Sequence, residues 1–139
     1  MTIIPKEVVD ILNAQDSIKI LASVDENGVP NAVPVGSMKP INDDTLAFIE
    51  EHIIHTKHNL EKTGKASVTV LKLPATAYQL KGTFLGFQTS GPLFDYFSKR
   101  VAELAHALKK ELPPPKSVGT IRVDEVFAAS PGLNSQKLA

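Results

Sequence analysis

Apolar and polar residues along the chain change period several times, and the pattern predicts short strands between a few helices. Runs rich in β-branched and aromatic residues, bounded by turn signals, predict strands at 18–24, 29–35, 45–50, 67–71, 77–87 and 120–127. Helical spacing predicts helices at 5–13, at 57–62 after a cap at Thr56, and from 90–92 to the prolines at 113–115. The short antiparallel connections favour a small β-barrel in an α+β frame.

The second predicted strand, 29–35, is unusual because it contains Pro30 and Pro34. Each proline lacks an N–H, and their spacing of four residues places both missing donors on the same edge of the strand. We therefore expect that edge to be unpaired, bulged or turned towards something other than a neighbouring strand. The long fifth strand is expected to bend at Gly82 and Gly86.

Composition narrows the classes of function. The 139 residues predict one domain, 1–139, with 128–139 as a polar C-terminal tail. Lys and Arg total 15 and are balanced by 15 Asp and Glu, which argues against a nucleic-acid partner. The absence of cysteine excludes disulfides, thiolate metal sites and cysteine nucleophiles. No signal peptide or membrane-spanning apolar run is found, so we expect a cytoplasmic protein without a membrane partner.

One stretch, HIIHTKHNL at 52–60, carries three of the four histidines and admits three interpretations. A metal site would need His52, His55 and His58 on one helix face, but the preceding strand is expected to keep His52 extended, so the three would splay. A plain surface junction between a strand and a helix is the second interpretation. The third is an anion site at the start of the following helix.

The anion interpretation rests on what the first turn of a helix offers. Its N–H groups have no helical partner, and the helix dipole places partial positive charge there. With Thr56 as the expected cap, a phosphate at this end would receive backbone donors and the Thr56 hydroxyl. The imidazole of His55 or the ammonium of Lys57 would add a further donor.

Three segments of the sequence match a known family. The segments ASVDENGVPNAVPV, HTKHNLEKTGKASVTVL and YQLKGTF resemble the FMN-binding split barrels, the superfamily of pyridoxamine 5′-phosphate oxidase. In size the chain is most similar to the small single-domain FMN-binding proteins of that group. The resemblance implies a six-stranded antiparallel split β-barrel with flanking helices. It also implies a homodimer that holds one FMN in each of two clefts at its interface.

The resemblance also assigns cofactor contacts by position. They are Val33, Pro34, Val35, Gly36, Glu50, Glu51, His55, Thr56, Lys57 and Asn59. The first four match the strand that meets the flavin ring through its backbone, and the two glutamates match a strand end beside the ring and the ribityl chain. His55 and Thr56 match the positions that hold the phosphate, and Lys57 and Asn59 adjoin them.

These features lead to two main hypotheses. The first is an FMN-dependent oxidoreductase or electron carrier, with an unknown small-molecule or protein redox partner and with no catalytic residue required of the chain. The second is a non-catalytic binding module for FMN, deazaflavin or haem. A weaker third is a metal-dependent hydrolase that uses the histidines. Vitamin B6 oxidation is not expected, because the chain has no tryptophan and lacks the Arg-rich C-terminal segment of the true oxidases.

Overall fold

A computed structural model of the chain describes residues 2–139, which form three helices and seven strands. The helices are α1 (Lys6–Asn13), α2 (Ile54–Thr63) and α3 (Pro92–Leu108). The strands are β1 (Ile18–Val24), β2 (Pro30–Pro34), β3 (Lys39–Pro40), β4 (Thr45–Glu50), β5 (Lys65–Lys72), β6 (Thr76–Gln88) and β7 (Ser117–Ala128). None of these helices is both long and apolar enough to cross a membrane.

All seven strands belong to one antiparallel sheet in the order β2-β1-β5-β6-β7-β4-β3. Helix α1 packs against both β5 and β3, which lie at separate places in that order, so the sheet curls around the helix. The α+β frame expected from the sequence is confirmed. The strand count differs from the expected six, because the two-residue strand β3 is too short to leave a pattern of alternation.

The proline-containing strand β2 lies at one end of the sheet and pairs only with β1. Val35, just past its end, donates its N–H to the carbonyl of Lys19 at 2.9 Å. Because backbone groups alternate in direction along a strand, Pro30, Ala32 and Pro34 direct theirs to the open side. The prediction of an unpaired proline edge is confirmed, and the prolines leave Ala32 as the strand's one outward N–H.

Strand β6 is bent by two irregularities in its pairing with β7. The register shifts between Lys81 and Gly82 and again between Phe84 and Gly86, as the two glycines led us to expect. A side chain at Gly82 would collide with the backbone carbonyl of Arg122. The bends let β6 remain paired with both of its neighbours while the sheet curves.

The hydrophobic core fills the concave side of the sheet. Val8, Ile11 and Leu12 of α1 and Leu60 of α2 join the inward residues of β1, β4, β5, β6 and β7 in one cluster. The tail expected at 128–139 is irregular but folds back along β7. Leu138 donates its N–H to the Val126 carbonyl at 2.8 Å.

Helix α3 ends earlier than the prolines at 113–115 would require. Its last helical residue is Leu108, and Lys109 adopts a left-handed conformation with φ 53°. Backbone bonds from Lys109 to His106 and from Lys110 to Ala105 close the helix. The expected stop was therefore wrong, because a left-handed cap ends the helix before the prolines can.

Candidate functional site

A groove runs between the end of β4 and the start of α2. It has a volume of about 280 Å³ and is lined by Glu50, His52, Ile54, Lys57, His58, Glu61 and Lys116. The chain turns from strand to helix at His52, whose φ is 60° in the left-handed region. The HIIHTKHNL stretch therefore forms a junction in which the three histidines lie on different parts of the turn and helix.

The first turn of α2 differs from the prediction. The cap residue is Ile53, and no side chain bonds to this end of the helix, so Thr56 is the third helical residue and the expected Thr56 cap was wrong. The first helical bond runs from the N–H of Lys57 to the Ile53 carbonyl at 2.8 Å. Within residues 2–139, the N–H groups of Ile54, His55 and Thr56 have no hydrogen-bond acceptor. The turn carries no acidic residue, so it offers donors to an external anion.

The Thr56 side chain fastens α2 to β2. Its Oγ1 accepts a 3.0 Å bond from the side-chain amide of Asn31, and Thr56 is only 1% exposed. His55 is exposed, so its imidazole is accessible from solvent at this turn. Asn31 was not among the predicted site residues. No local pattern points to Asn31, because its contact with Thr56 spans 25 residues.

Glu50 and Lys57 form an ion pair at the edge of the groove. The Nζ of Lys57 lies 3.1 Å from Oε1 of Glu50, whose side chain is only 6% exposed. The hydroxyl of Ser117 lies 3.4 Å from the same oxygen. The Lys57 ammonium also lies 5.3 Å from the centre of the Phe87 ring. The lysine expected near the phosphate is thus already held by a buried carboxylate.

Two of the predicted residues contact other side chains of the protein. Asn59 is buried, and its side-chain amide donates to the hydroxyl of Ser23 at 3.1 Å, which ties α2 to β1. It faces the protein interior rather than the groove. Glu51 is half-buried and lies 3.5 Å from the Nε2 of His52.

The backbone of 33–36 leads away from the α2 junction along the edge of the sheet. The side chains of Val33 and Val35 pack on the core. Their backbone N–H groups point towards β1, so neither offers a free amide at the open edge. Pro34 and Gly36 are exposed. Asn31 reaches Thr56, so the open edge of β2 begins beside α2 and continues towards Gly36. The edge of β2 therefore connects the α2 junction with the exposed Pro34 and Gly36.

The histidines are directed to separate partners. His52 lies beside Glu51, and the Nε2 of His58 lies 3.4 Å from Glu26. Among residues 2–139, no group of three His, Asp or Glu side chains is arranged to hold a metal ion. The geometry therefore gives the metal interpretation of HIIHTKHNL no support.

A cationic pocket of about 350 Å³ adjoins Gly36 and was missed by sequence reasoning. Lys19, Lys39 and Arg100 line it. Lys39 and Arg100 lie 2.8 and 3.4 Å from the hydroxyl of Tyr96. The bond from Lys39 lowers the pKa of Tyr96, and the nearby charges of Lys39 and Arg100 lower it further. Burial, with Lys39 close by, lowers the pKa of Lys19.

The sequence matches one described family over most of its length. A profile of the pyridoxamine 5′-phosphate oxidase family covers residues 4–129. The chain belongs to this family. The resemblance stated from the sequence is therefore confirmed, although a search of curated protein sequences finds no match.

Solved structures share the fold. HupZ of Group A Streptococcus is 27% identical, with 98% of this chain and 99% of that chain covered and a TM-score of 0.79. An FMN-binding protein from Syntrophomonas wolfei is 21% identical over 88% of this chain and 83% of that one, with a TM-score of 0.76. HutZ, the haem storage protein from Vibrio cholerae, is 17% identical over 92% and 95%, with a TM-score of 0.65. The fold therefore occurs in proteins described by different ligands.

Proposed function

We propose that this protein binds FMN, with the phosphate at the first turn of α2 and the flavin along the open edge of β2. The observation that carries the proposal is the uncapped first turn, where the exposed residues Ile54 and His55 have N–H groups without an acceptor. Family membership and the FMN-binding protein of the same fold support the choice of cofactor. The proposed activity is that of a flavin-dependent oxidoreductase or electron carrier.

The residues present fit the two ends of FMN. A phosphate dianion needs several N–H donors and positive potential, and the start of α2 supplies both, with the exposed imidazole of His55 beside it. A flavin ring carries both donors and acceptors, and the open edge of β2 offers the N–H of Ala32 and the carbonyls of Pro30, Ala32 and Pro34. Bound FMN would supply the electron-transfer chemistry, while the chain binds, orients and shields it.

A non-catalytic binding module is the second candidate. The first turn of α2 carries an imidazole, that of His55, and Lys57 is paired with Glu50, so the phosphate site has few mobile cations. Such a site suits a ligand that exchanges. HutZ shows that the fold also occurs in a haem storage protein. Deazaflavin and haem are therefore the alternative ligands to test beside FMN.

We further propose a cytoplasmic homodimer, in which a second copy completes the cofactor cleft. Leu104 and Leu108 stand one turn apart on α3, and each is 52% exposed. Leu85 of β6 is exposed to the same extent, at 52%. Apolar side chains exposed in this way favour association with a partner surface.

Cofactor retention is the first experiment. The purified protein is mixed with FMN, desalted, and examined by visible absorption; we expect flavin bands close to one per chain. Haem and a deazaflavin are tested in the same way. A protein that keeps haem or deazaflavin but no FMN would contradict the choice of cofactor.

The phosphate assignment is tested with His55→Ala, and His106→Ala, an exposed histidine of α3 that does not line the groove, serves as the matched control. Loss of a hydrogen bond to a charged group costs about 1.5–3 kcal/mol, so FMN should bind His55→Ala roughly tenfold or more weakly. Riboflavin, which lacks the phosphate, should bind both variants like the wild type. Equal FMN affinity in His55→Ala and His106→Ala would contradict the assignment.

Turnover separates the two candidate functions. An oxidoreductase should bleach bound FMN with a reduced nicotinamide or another reductant and cycle repeatedly, whereas a carrier should bind FMN without turnover. The hydrolase hypothesis predicts instead an activity that chelators abolish.

A further inference from the structure

The Glu50–Lys57 ion pair affects how strongly the groove can bind a phosphate. Lys57 is the fourth residue of α2 and lines the same groove as Ile54, three residues before it and on the same face of the helix. An ammonium at this position would be expected to bind an anion held at the first turn of α2. It lies instead 3.1 Å from the Glu50 carboxylate.

The surroundings of Glu50 stabilise its ion pair with Lys57. Of the side-chain cations in residues 2–139, only Lys57 lies within 4.0 Å of the Glu50 carboxylate. The carboxylate is almost fully buried, and its other partner is the neutral hydroxyl of Ser117. If Lys57 left for a phosphate, a buried carboxylate would lose its counter-charge, which is strongly unfavourable. The Phe87 ring under the ammonium adds to the same preference.

We infer that Glu50 is a specificity-determining residue that weakens phosphate recognition by keeping the Lys57 ammonium on itself. This inference rests on the proposed FMN function. The phosphate is left with the backbone N–H groups of α2, the imidazole of His55 and the other lysine that lines the groove, Lys116, but without Lys57. The protein should therefore discriminate less between FMN and riboflavin than a site with a free Lys57 would, and it should exchange its flavin.

Glu50→Gln is the decisive variant. Glutamine keeps the shape of the side chain and a hydrogen-bonding partner for Ser117, but it removes the charge that holds Lys57. The freed ammonium can then bind the phosphate by a charge-assisted bond. We expect the ratio of the riboflavin dissociation constant to the FMN dissociation constant to rise by about tenfold, through tighter FMN binding. Flavin fluorescence titration measures both constants.

Two further variants distinguish the Glu50–Lys57 ion pair from a general effect of negative charge in the groove. Glu61→Gln removes an exposed negative charge from the same groove, and Glu61 forms no ion pair with Lys57. It should leave the ratio within about twofold of the wild type, because screened surface charges act weakly. The double variant Glu50→Gln with Lys57→Gln should lose the gain, since the ammonium that produces it is absent.

A measurement on the wild-type protein gives an independent test. Lysines are labelled by reductive ¹³C-methylation, and the Lys57 signal is identified by its loss in Lys57→Gln. FMN and riboflavin should shift this signal equally in the wild type, because Lys57 does not bind the phosphate. A larger shift with FMN than with riboflavin would overturn the inference, even if Glu50→Gln failed to fold.

The outcomes distinguish this inference from the proposed function. An unchanged ratio in Glu50→Gln, an equal rise in Glu61→Gln, or a gain that survives in the double variant would overturn the role of Glu50 while FMN binding stands. Failure of the wild type and of Glu50→Gln to bind either flavin would overturn the proposed function and the inference with it.

Discussion

The side-chain amide of Asn59 donates a 3.1 Å hydrogen bond to the hydroxyl of Ser23, and both residues are buried. Asn59→Ala would leave the Ser23 hydroxyl without this partner, so we expect the free energy of unfolding to fall by about 1–3 kcal/mol. Urea denaturation measures the loss, with the exposed His58→Ala as the control. Unchanged stability, together with weaker FMN binding, would indicate that Asn59 contacts the cofactor and does not stabilise the fold.

The contact between Thr56 and Asn31 joins α2 to the open edge of β2. We expect Thr56→Val and Asn31→Ala each to reduce stability, with a coupling energy of about 0.5–1.5 kcal/mol between them, because they remove the same hydrogen bond. A double-mutant cycle in urea measures this coupling. Purely additive losses would show that the 3.0 Å contact contributes nothing of its own.

The strands could be predicted from sequence where a run of branched residues meets a clear turn signal. Strands β1 and β4 match the predicted 18–24 and 45–50 to the residue. Strand β3 could not be found, because two residues carry no alternation. The start of α2 was misplaced by the capping signal of Thr56, since the actual cap, Ile53, has a side chain that cannot accept a hydrogen bond.

The candidate site was predictable only in part. The family resemblance located the junction that contains Glu50, His55 and Lys57, and the structure brings these residues together. The family resemblance could not show that Lys57 pairs with Glu50 or that Asn59 faces the interior, because both depend on how α2 packs against the sheet. The cationic pocket was missed for the same reason, since its cations come from strands and a helix far apart in the chain.

Tyr96 should show an unusual titration. The bond from Lys39 and the charges of Lys39 and Arg100 lower its pKa, so the phenolate is favoured in the folded protein. Folding should therefore gain stability as the pH rises through the folded pKa towards the unfolded one. Lys39→Met should raise the pKa of Tyr96, measured by tyrosinate absorbance, while Lys110→Met on the exposed surface should not. The contribution of Tyr96 should vanish in Tyr96→Phe, which leaves Tyr78 as the one tyrosine of the chain. An unmoved Tyr96 transition in Lys39→Met would contradict the contact.

Association should depend on the exposed leucines of α3. We expect light scattering at micromolar concentration to give the mass of a dimer. Leu104→Lys should shift the equilibrium towards monomer, because it places a charge on an apolar surface that the partner would bury. Lys99→Met on the same helix serves as a control. A monomeric wild type would contradict the proposed dimer and any cleft that a second copy completes.

Gly119 of β7 is required by the two rings that pack over it. A methyl group there would lie 2.5 Å from Cζ of Phe48 and 2.9 Å from Cε1 of Phe87. We expect Gly119→Ala to reduce the free energy of unfolding by about 1–3 kcal/mol, since the rings must shift in a packed interior. Gly36→Ala is the control for stability, because its added methyl meets nothing within 4 Å. Phe87 also lies under the Lys57 ammonium, so a shift of this ring would also change the candidate site. A Gly119→Ala variant as stable as the wild type would show that the rings move freely.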